Sequence, residues 1–519
     1  MAHHSLARLL KSAFHAAVLE TEEAAVLYSE YAESRRKFLR QSAVAAGAMI
    51  ATPALFSLAS CGKNKEENIV IIGAGIAGLN AAYQLQKMNT TSTIYEASDR
   101  IGGRMFTLID EFGKGISTEV GGEFVDTTHQ DILQLANELG LSLYDLREDK
   151  LDQKVYFFEG KHLSDEDLKN ALKPFVVQLM KDVKSLPEII SHQSAAKFEH
   201  LDKQSITEYL TSIGIKGWLY NFLNVCLTRE YGMEASIQSA VNFLIMFVEP
   251  VANQKHYELF GADHEVFKIK GGSNMLTNAL YQKVKPSVKT GYTLKSIGKE
   301  EDKGYSLEFD NGGTTTHVYA TRVIIAIPFT MLRMVQINVP MPAEKMRCIN
   351  EIGYGNSSKF IVGVANGKPW RKMGKQGYAF TDLLIGCGWD SSQSQSETEG
   401  SFTIFGGGDF SVTLNKGVPT DMAKEFLSQL NKVFPGMDKA YTQKNIKFCW
   451  NENPLSKAGY SAFKKGQWST LAGWEGVPVG DIYFAGEHVS REFQGYMNGA
   501  AQTGRVAAEM LMKAMNANG

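Results

Sequence analysis

The sequence predicts an α/β protein: a Rossmann-type dinucleotide-binding domain combined with a second, α+β domain. The length, 519 residues, exceeds what one hydrophobic core ordinarily serves, so two domains and a sizeable buried core are expected. A buried-strand pattern, Ile69-Val70-Ile71-Ile72, runs directly into a glycine turn and then a helix pattern carrying Leu79, Ala81, Ala82 and Leu85. Outside that unit lie a helical stretch over 165–250 and a strand-rich stretch over 355–415, which supply the second domain.

Apolar residues at 44% and charged residues at 21% exclude a largely disordered, collagenous or multispanning chain. Lysine and arginine total 54 against 56 aspartates and glutamates, so no global charge draws the protein to nucleic acid, and no nucleic-acid partner is expected. Cys61, Cys226, Cys348, Cys387 and Cys449 show no CxxC spacing, which argues against a disulfide scaffold and a structural zinc site; no metal is expected. Whether the last four pair is left open. Neither a GxSxG elbow, a GxxxxGK[ST] loop nor an HExxH pair is present.

Ser34-Arg35-Arg36-Lys37-Phe38-Leu39-Arg40 precedes Gln41 to Ser60, a charge-free stretch rich in Ala, Ser and Gly and interrupted by Pro53. An arginine pair before a weakly apolar run resembles a twin-arginine export signal, and Leu58-Ala59-Ser60-Cys61 resembles a lipobox. The expectation is an exported protein, periplasmic or envelope-facing, with 1–60 as leader and a lipid at Cys61 as its only membrane attachment. The run is short and small-residue-rich for a transmembrane span. Residues 1–33 carry an amphipathic pattern (Leu6, Leu9, Leu10, Phe14, Val18) and read as part of a long leader.

In Gly73-Ala74-Gly75-Ile76-Ala77-Gly78 the three glycines differ in what they allow. Gly73 permits the tight turn, Gly75 lets the backbone approach a pyrophosphate, and Gly78 lets helix and strand pack closely. The following strand, Ser92 to Tyr95, ends at Glu96, a carboxylate at the right distance to receive the ribose hydroxyls of an adenosine.

Past that strand, Glu96-Ala97-Ser98-Asp99-Arg100-Ile101-Gly102-Gly103-Arg104-Met105 adds a second glycine pair and two arginines. Far downstream stand Ala485-Gly486-Glu487-His488 and Phe493-Gln494-Gly495-Tyr496-Met497-Asn498-Gly499-Ala500. These motifs resemble the flavin monoamine oxidase family, which includes amine oxidases and L-amino-acid oxidases. Glu119-Val120-Gly121-Gly122-Glu123, Ile269-Lys270-Gly271-Gly272-Ser273 and Val323-Ile324-Ile325-Ala326-Ile327-Pro328 fall where the resemblance expects them, so it spans about 66–515. It implies an FAD-binding domain built from 66–143, 257–340 and 453–519, interleaved with a substrate domain from 144–256 and 341–452. It implies FAD near Gly73, Gly75, Gly78, Glu96, Gly102, Gly103, Arg104, Gly121, Gly122, Gly486, Glu487 and Met497, with both arginines near its phosphates. Gly499, Ala500, Thr503, Gly504 and Ala507 form a small-residue stripe expected to let a helix backbone approach the flavin. The polar run Ser391 to Ser401 reads as a hairpin loop.

Lys359 opens the apolar strand Phe360-Ile361-Val362-Gly363-Val364, where an ammonium is costly without a purpose. In the resembled family a lysine here holds a water against flavin N5. Tyr460 and Tyr496 align with the aromatic pair that flanks the substrate nitrogen, their π faces suited to an amine. Members that bind FAD covalently use a cysteine just before the first tyrosine; that position is Gly459, so FAD is expected to be non-covalent. Related L-amino-acid oxidases clamp the substrate carboxylate with an arginine, but the loop reads Gly121-Gly122-Glu123-Phe124. The expected substrate is therefore a small-molecule amine, with an amino acid as alternative if Arg229 or another arginine serves. Molecular oxygen is the expected acceptor, although a desaturase or a dehydrogenase using another acceptor is not separated from it by sequence. His488 is placed either to tune the flavin or to make a structural hydrogen bond. A homodimer is left open.

Overall fold

The computed structural model describes residues 5–35, 67–247, 266–300 and 304–518. Its organising element is a five-stranded parallel sheet. Ile69–Ile72 lies at the centre, between Thr93–Tyr95 and Arg322–Ile325; Ile482–Phe484 and Val288–Lys289 close the two edges. Central strands of such a sheet are covered on both faces, which is why they read as unbroken apolar runs. Ile69 and Ile71 pack with the helices Ile76–Lys87 and Met497–Asn518, whereas Val70 and Ile72 join the larger core with Leu307 and Phe309 of a neighbouring four-stranded sheet.

A seven-stranded sheet forms the second layer system. Its order is Tyr441–Cys449, Ser357–Val364, Gly400–Gly407, Cys387–Asp390, Lys375–Thr381, Asp152–Phe158 and Lys161–Leu163. Helices from 165–247 supply much of its core, with Phe222, Leu223 and Phe243 fully buried. The parallel sheet takes its strands from 69–95, 288–325 and 482–484, and the seven-stranded sheet from 152–163 and 357–449, so the α/β and α+β parts alternate along the chain. Residues 391–399 connect Cys387–Asp390 to its antiparallel neighbour Gly400–Gly407, and Ser391 and Ser392 within that connection are fully buried.

Residues 5–35 form two helices, Ser5–Leu19 and 22–35, laid on the helical part of the second domain. Leu10, Phe14, Ala17 and Val18 are buried in the main core, and Phe14 meets Phe247 at 4.5 Å between ring centroids. Glu20 bridges Lys169 and Lys173, Glu23 reaches Lys181, and Glu30 reaches Lys184, a ladder of exposed pairs worth little singly. The apolar pattern that reads as a leader thus covers the helical part of the second domain. Arg35 is buried and donates to the Glu188 carbonyl; Arg36, the charge-free stretch and Cys61 lie outside the described residues.

Candidate active site

A cavity of about 470 Å³ runs between the two sheets and is lined by both ends of the chain. At one end are Gly73, Gly75, Glu96, Gly102, Gly103, Arg104, Gly486 and Glu487. Gly73 sits at φ +102°, and a Cβ there would strike Ile327 and the Ala326 carbonyl; a Cβ on Gly75 would meet nothing within 4 Å. The chain thus leaves Gly75 open toward the cavity, as close approach by a ligand requires. Gly78 lies outside the cavity: its missing side chain lets the helix close on the Gly73 carbonyl, 2.0 Å from where a Cβ would stand. Glu96 accepts from the Ala74 amide (2.6 Å) and the Ser98 amide (2.9 Å), which fixes its carboxylate at the cavity wall.

Glu487 ties three distant segments together. It accepts from Arg104 Nη1 (2.8 Å), Ser461 Oγ (2.7 Å) and the Gly495 amide (2.9 Å), while Arg104 Nη1 also donates to the Gly459 carbonyl (2.6 Å). Burial alone would raise the pKa of Glu487, but the Arg104 guanidinium overcomes this and holds it below the ordinary value.

The other end is aromatic, with Phe124, Trp389, Phe405, Phe448, Tyr460 and Tyr496 on its walls. Tyr460 donates its hydroxyl to the Glu230 carbonyl (2.6 Å), and burial pushes the phenol far above its usual range, so it stays neutral. Tyr496 is braced edge-on by His129 at 4.7 Å. Lys359, third in the wholly buried strand Ser357–Val364, sends its ammonium to Glu123 Oε2 (2.8 Å) and to the carbonyls of Glu119 (3.0 Å) and Gly121 (3.1 Å). Glu123 also receives Lys268 (2.8 Å) and the Trp389 indole (3.1 Å). Its pKa would rise by burial, but the two ammonium groups hold it below the ordinary range.

Nearby Glu119 is different. Burial, helped by the Glu123 charge, raises its pKa to about 7, against the opposing Ser273 amide. An acid whose folded-state pKa exceeds its unfolded value costs stability as pH rises through that interval. The cost begins above the unfolded value of 4.5 and is complete above about 7. The stability of Glu119→Gln relative to the native protein is therefore expected to increase by about 3 kcal/mol between pH 5 and pH 8. Thermal melts at the two pH values check this; a difference independent of pH would sink it.

The flavin-containing amine oxidoreductase family description matches residues 76–512. The chain belongs to that family. A flavin-containing amine oxidase of Oncorhynchus mykiss is 25% identical over 470 residues, 86% of each chain. The L-amino acid oxidase bordonein-L of Crotalus durissus terrificus is 23% identical over 472 residues, 86% of this chain and 87% of its own. Putrescine oxidase bound to putrescine superposes with a TM-score of 0.75 at 18% identity, over 86% of this chain and 99% of that one. The protein is thus a flavin-containing amine oxidase with FAD as cofactor, and its interleaved two-domain fold is that of its structural neighbours.

The cavity fits FAD: the open Gly75, the Glu96 carboxylate and the N-terminus of the helix Met497–Asn518 all face it. Gly121 and Gly122 line the cavity as expected; a Cβ on Gly121 would stand 2.0 Å from the Arg104 carbonyl, and Gly122 makes room for Met497, which lines the cavity with them. Other sequence-derived roles change. Arg100 lines the cavity and also donates to the Ile101, Gly103 and Met105 carbonyls, which shapes the loop. Of the small-residue stripe, only Ala500 reaches the cavity; Gly504 closes on Ala77 of the facing helix, because a crossing that tight admits no side chain. His488 is not on the cavity wall. Burial drives its pKa down to about 3 and it packs on Phe329 at 4.3 Å; neither ring nitrogen has a hydrogen-bond partner among the described residues. Arg229 donates to the Gly407 and Leu384 carbonyls and stacks on Phe410, away from the cavity. The described cysteines, Cys226, Cys348, Cys387 and Cys449, are thiols and form no disulfide with one another. Sequence reading missed the Glu123–Lys268 pair; the only signal was a carboxylate where a carboxylate-binding arginine was sought.

Proposed function

We propose that this flavoenzyme oxidises a primary or secondary amine to an imine, which water converts to an aldehyde and ammonia or a smaller amine, with oxygen reduced to hydrogen peroxide. One observation carries the reading: the substrate end holds no uncommitted cation among the described residues. Among the described residues the arginines lining the cavity are Arg100 and Arg104, both in the dinucleotide loop, and Lys359 is bound by Glu123. The stretch 248–265 contains no arginine either. A substrate carboxylate buried there would lack the bidentate partner that offsets its desolvation, whereas a neutral amine needs none.

Bound FAD supplies a two-electron acceptor. The chain's part is to hold the neutral amine in a dry, oriented pose. Tyr460 and Tyr496 present π faces to its nitrogen, Trp389 and Phe405 keep water out, and Lys359 serves the step with oxygen. Non-covalent attachment is supported by the lining, which includes no cysteine or histidine among the described residues. At Gly459 a Cβ would stand 2.2 Å from Ser357 Oγ, which leaves no space for a thiol. All flavin is expected in the supernatant after acid precipitation.

The deciding experiment mixes the purified holoenzyme, without oxygen, with a pool of primary amines and separately with a pool of L-amino acids. Bleaching of the flavin by amines alone is expected. Bleaching by amino acids alone would establish the second reading, favoured by the L-amino-acid oxidases among the relatives. Peroxide release on readmitting air separates an oxidase from a dehydrogenase.

We also propose twin-arginine export and a lipid anchor at Cys61. Cleavage there would leave helices 5–35 held on the body by contacts alone. Cys61→Ser should move the protein from the membrane to the soluble fraction; unchanged partition would refute the anchor.

A further inference from the structure

We propose that Glu123 and Lys268 are positioning residues for Lys359: they fix its ammonium and the Trp389 indole at the cavity wall, and so set the reaction of the reduced flavin with oxygen. The proposal rests on the oxygen-step reading of Lys359 given above.

Glu123 Oε2 is shared by Lys359 Nζ (2.8 Å) and Trp389 Nε1 (3.1 Å), and Oε1 takes Lys268 Nζ (2.8 Å). Lys268 is anchored in turn by the Ser391 carbonyl (2.7 Å), inside the buried 391–399 connection. The three charged side chains are 3–6% exposed, so water screens none of them. Their elements come from both halves of the molecule. Lys268 lies in Phe267–Ile269 of the binding domain, while Lys359 and Trp389 lie in the seven-stranded sheet. A buried ion cluster of this kind is a poor way to gain stability, since well-packed apolar residues do as well or better; what it fixes is position.

Charge decides the consequence. While Glu119 is neutral, below about pH 7, one carboxylate against two ammonium groups leaves the cluster one charge positive, and Lys359 also lies 5.3 Å from the centre of the Trp389 ring. The groups facing Lys359 are Glu123, Lys268 through that carboxylate, and Glu119, whose own ionisation is pushed up to about 7. When two electrons pass from reduced flavin to oxygen, with two protons to complete hydrogen peroxide, negative charge grows on the oxygen. A fixed ammonium in a dry site stabilises that charge without reorganising. Lys268 offsets the Glu123 charge; without it, Glu123 would cancel Lys359.

The test compares Glu123→Gln, the Glu123→Gln/Lys268→Met double variant and Lys359→Met as holoenzymes. In Glu123→Gln the two buried ammonium groups lose the carboxylate they share, only the Glu119 carboxyl remains near Lys359, and one ammonium gives up its proton more readily as pH rises. Its reoxidation by oxygen is expected to fall about tenfold relative to the native enzyme between about pH 6 and pH 9, while anaerobic reduction by amine changes far less. The visible spectrum of the oxidised bound flavin, titrated without substrate, should gain a pH step absent from the native enzyme. The double variant keeps a single ammonium and should return to within about threefold of native reoxidation without the step. If Glu123→Gln does not retain flavin, the double variant and Lys268→Met carry the test, the latter expected to slow reoxidation. Native-like reoxidation in Glu123→Gln, or equal slowing of both half-reactions, overturns the proposal. If Lys359→Met is itself native-like, the Lys359 reading falls with it; if only Lys359→Met is slow, the Lys359 reading stands and this proposal alone fails.

Discussion

Glu487→Ala is expected to cost about 3 kcal/mol of stability and to yield protein largely free of flavin. Glu487 is 4% exposed and takes donors from residues 104, 461 and 495, which belong to three separate stretches of the chain. Removing it leaves the Arg104 guanidinium, three-quarters buried, without its counter-charge, and leaves the Ser461 and Gly495 amides unpaired. The affected segments carry Tyr460, Tyr496 and the glycine pair Gly102-Gly103, so the loss is delivered directly to the cavity wall. Glu487→Gln keeps one acceptor oxygen, enough for Ser461 Oγ and the Gly495 amide, forfeits the charge, and should lie between native and alanine. Flavin absorbance per mole of protein and the melting temperature together check the prediction; an alanine variant with its full complement of flavin and native melting would show that another contact holds the three segments.

What could be read from sequence divides along the range of the interaction. The turn at Gly73-Ala74-Gly75 and the carboxylate at Glu96 are local: their roles follow from φ at one residue and the end of one strand, and both stand at the cavity. Lys359 was legible because an ammonium in Phe360-Ile361-Val362 contradicts its surroundings. The sharing of Glu123 by Lys268, Lys359 and Trp389 is set by how strands from two sheets meet, and nothing near position 268 announces it. The small-residue stripe from Gly499 to Ala507 illustrates the limit of periodicity. It shows that something comes close to the helix, and the structure identifies that neighbour mainly as Ala77 of another helix. The same limit applies to Leu10, Phe14 and Val18, whose spacing gives an apolar face but not the surface it covers.

Lys359→Met is expected to slow oxidation of the reduced enzyme by oxygen about 100-fold while leaving anaerobic reduction within a few-fold of native. Methionine preserves length and most of the volume inside the wholly buried strand, so the pairing of position 359 with Phe405 and Phe448 survives. What disappears is the only ammonium lining the substrate end of the cavity among the described residues, together with three hydrogen bonds to Glu119, Gly121 and Glu123. In the proposed reaction, reduction by amine moves a hydride from a neutral donor and asks little of a fixed cation, whereas electron transfer to oxygen creates negative charge where the cation stood. Stopped-flow measurement of the two half-reactions separates them. Equal slowing would mean that Lys359 supports the shape of the site, with Glu123 left to the Lys268 ammonium and the Trp389 indole, and that oxygen is activated elsewhere.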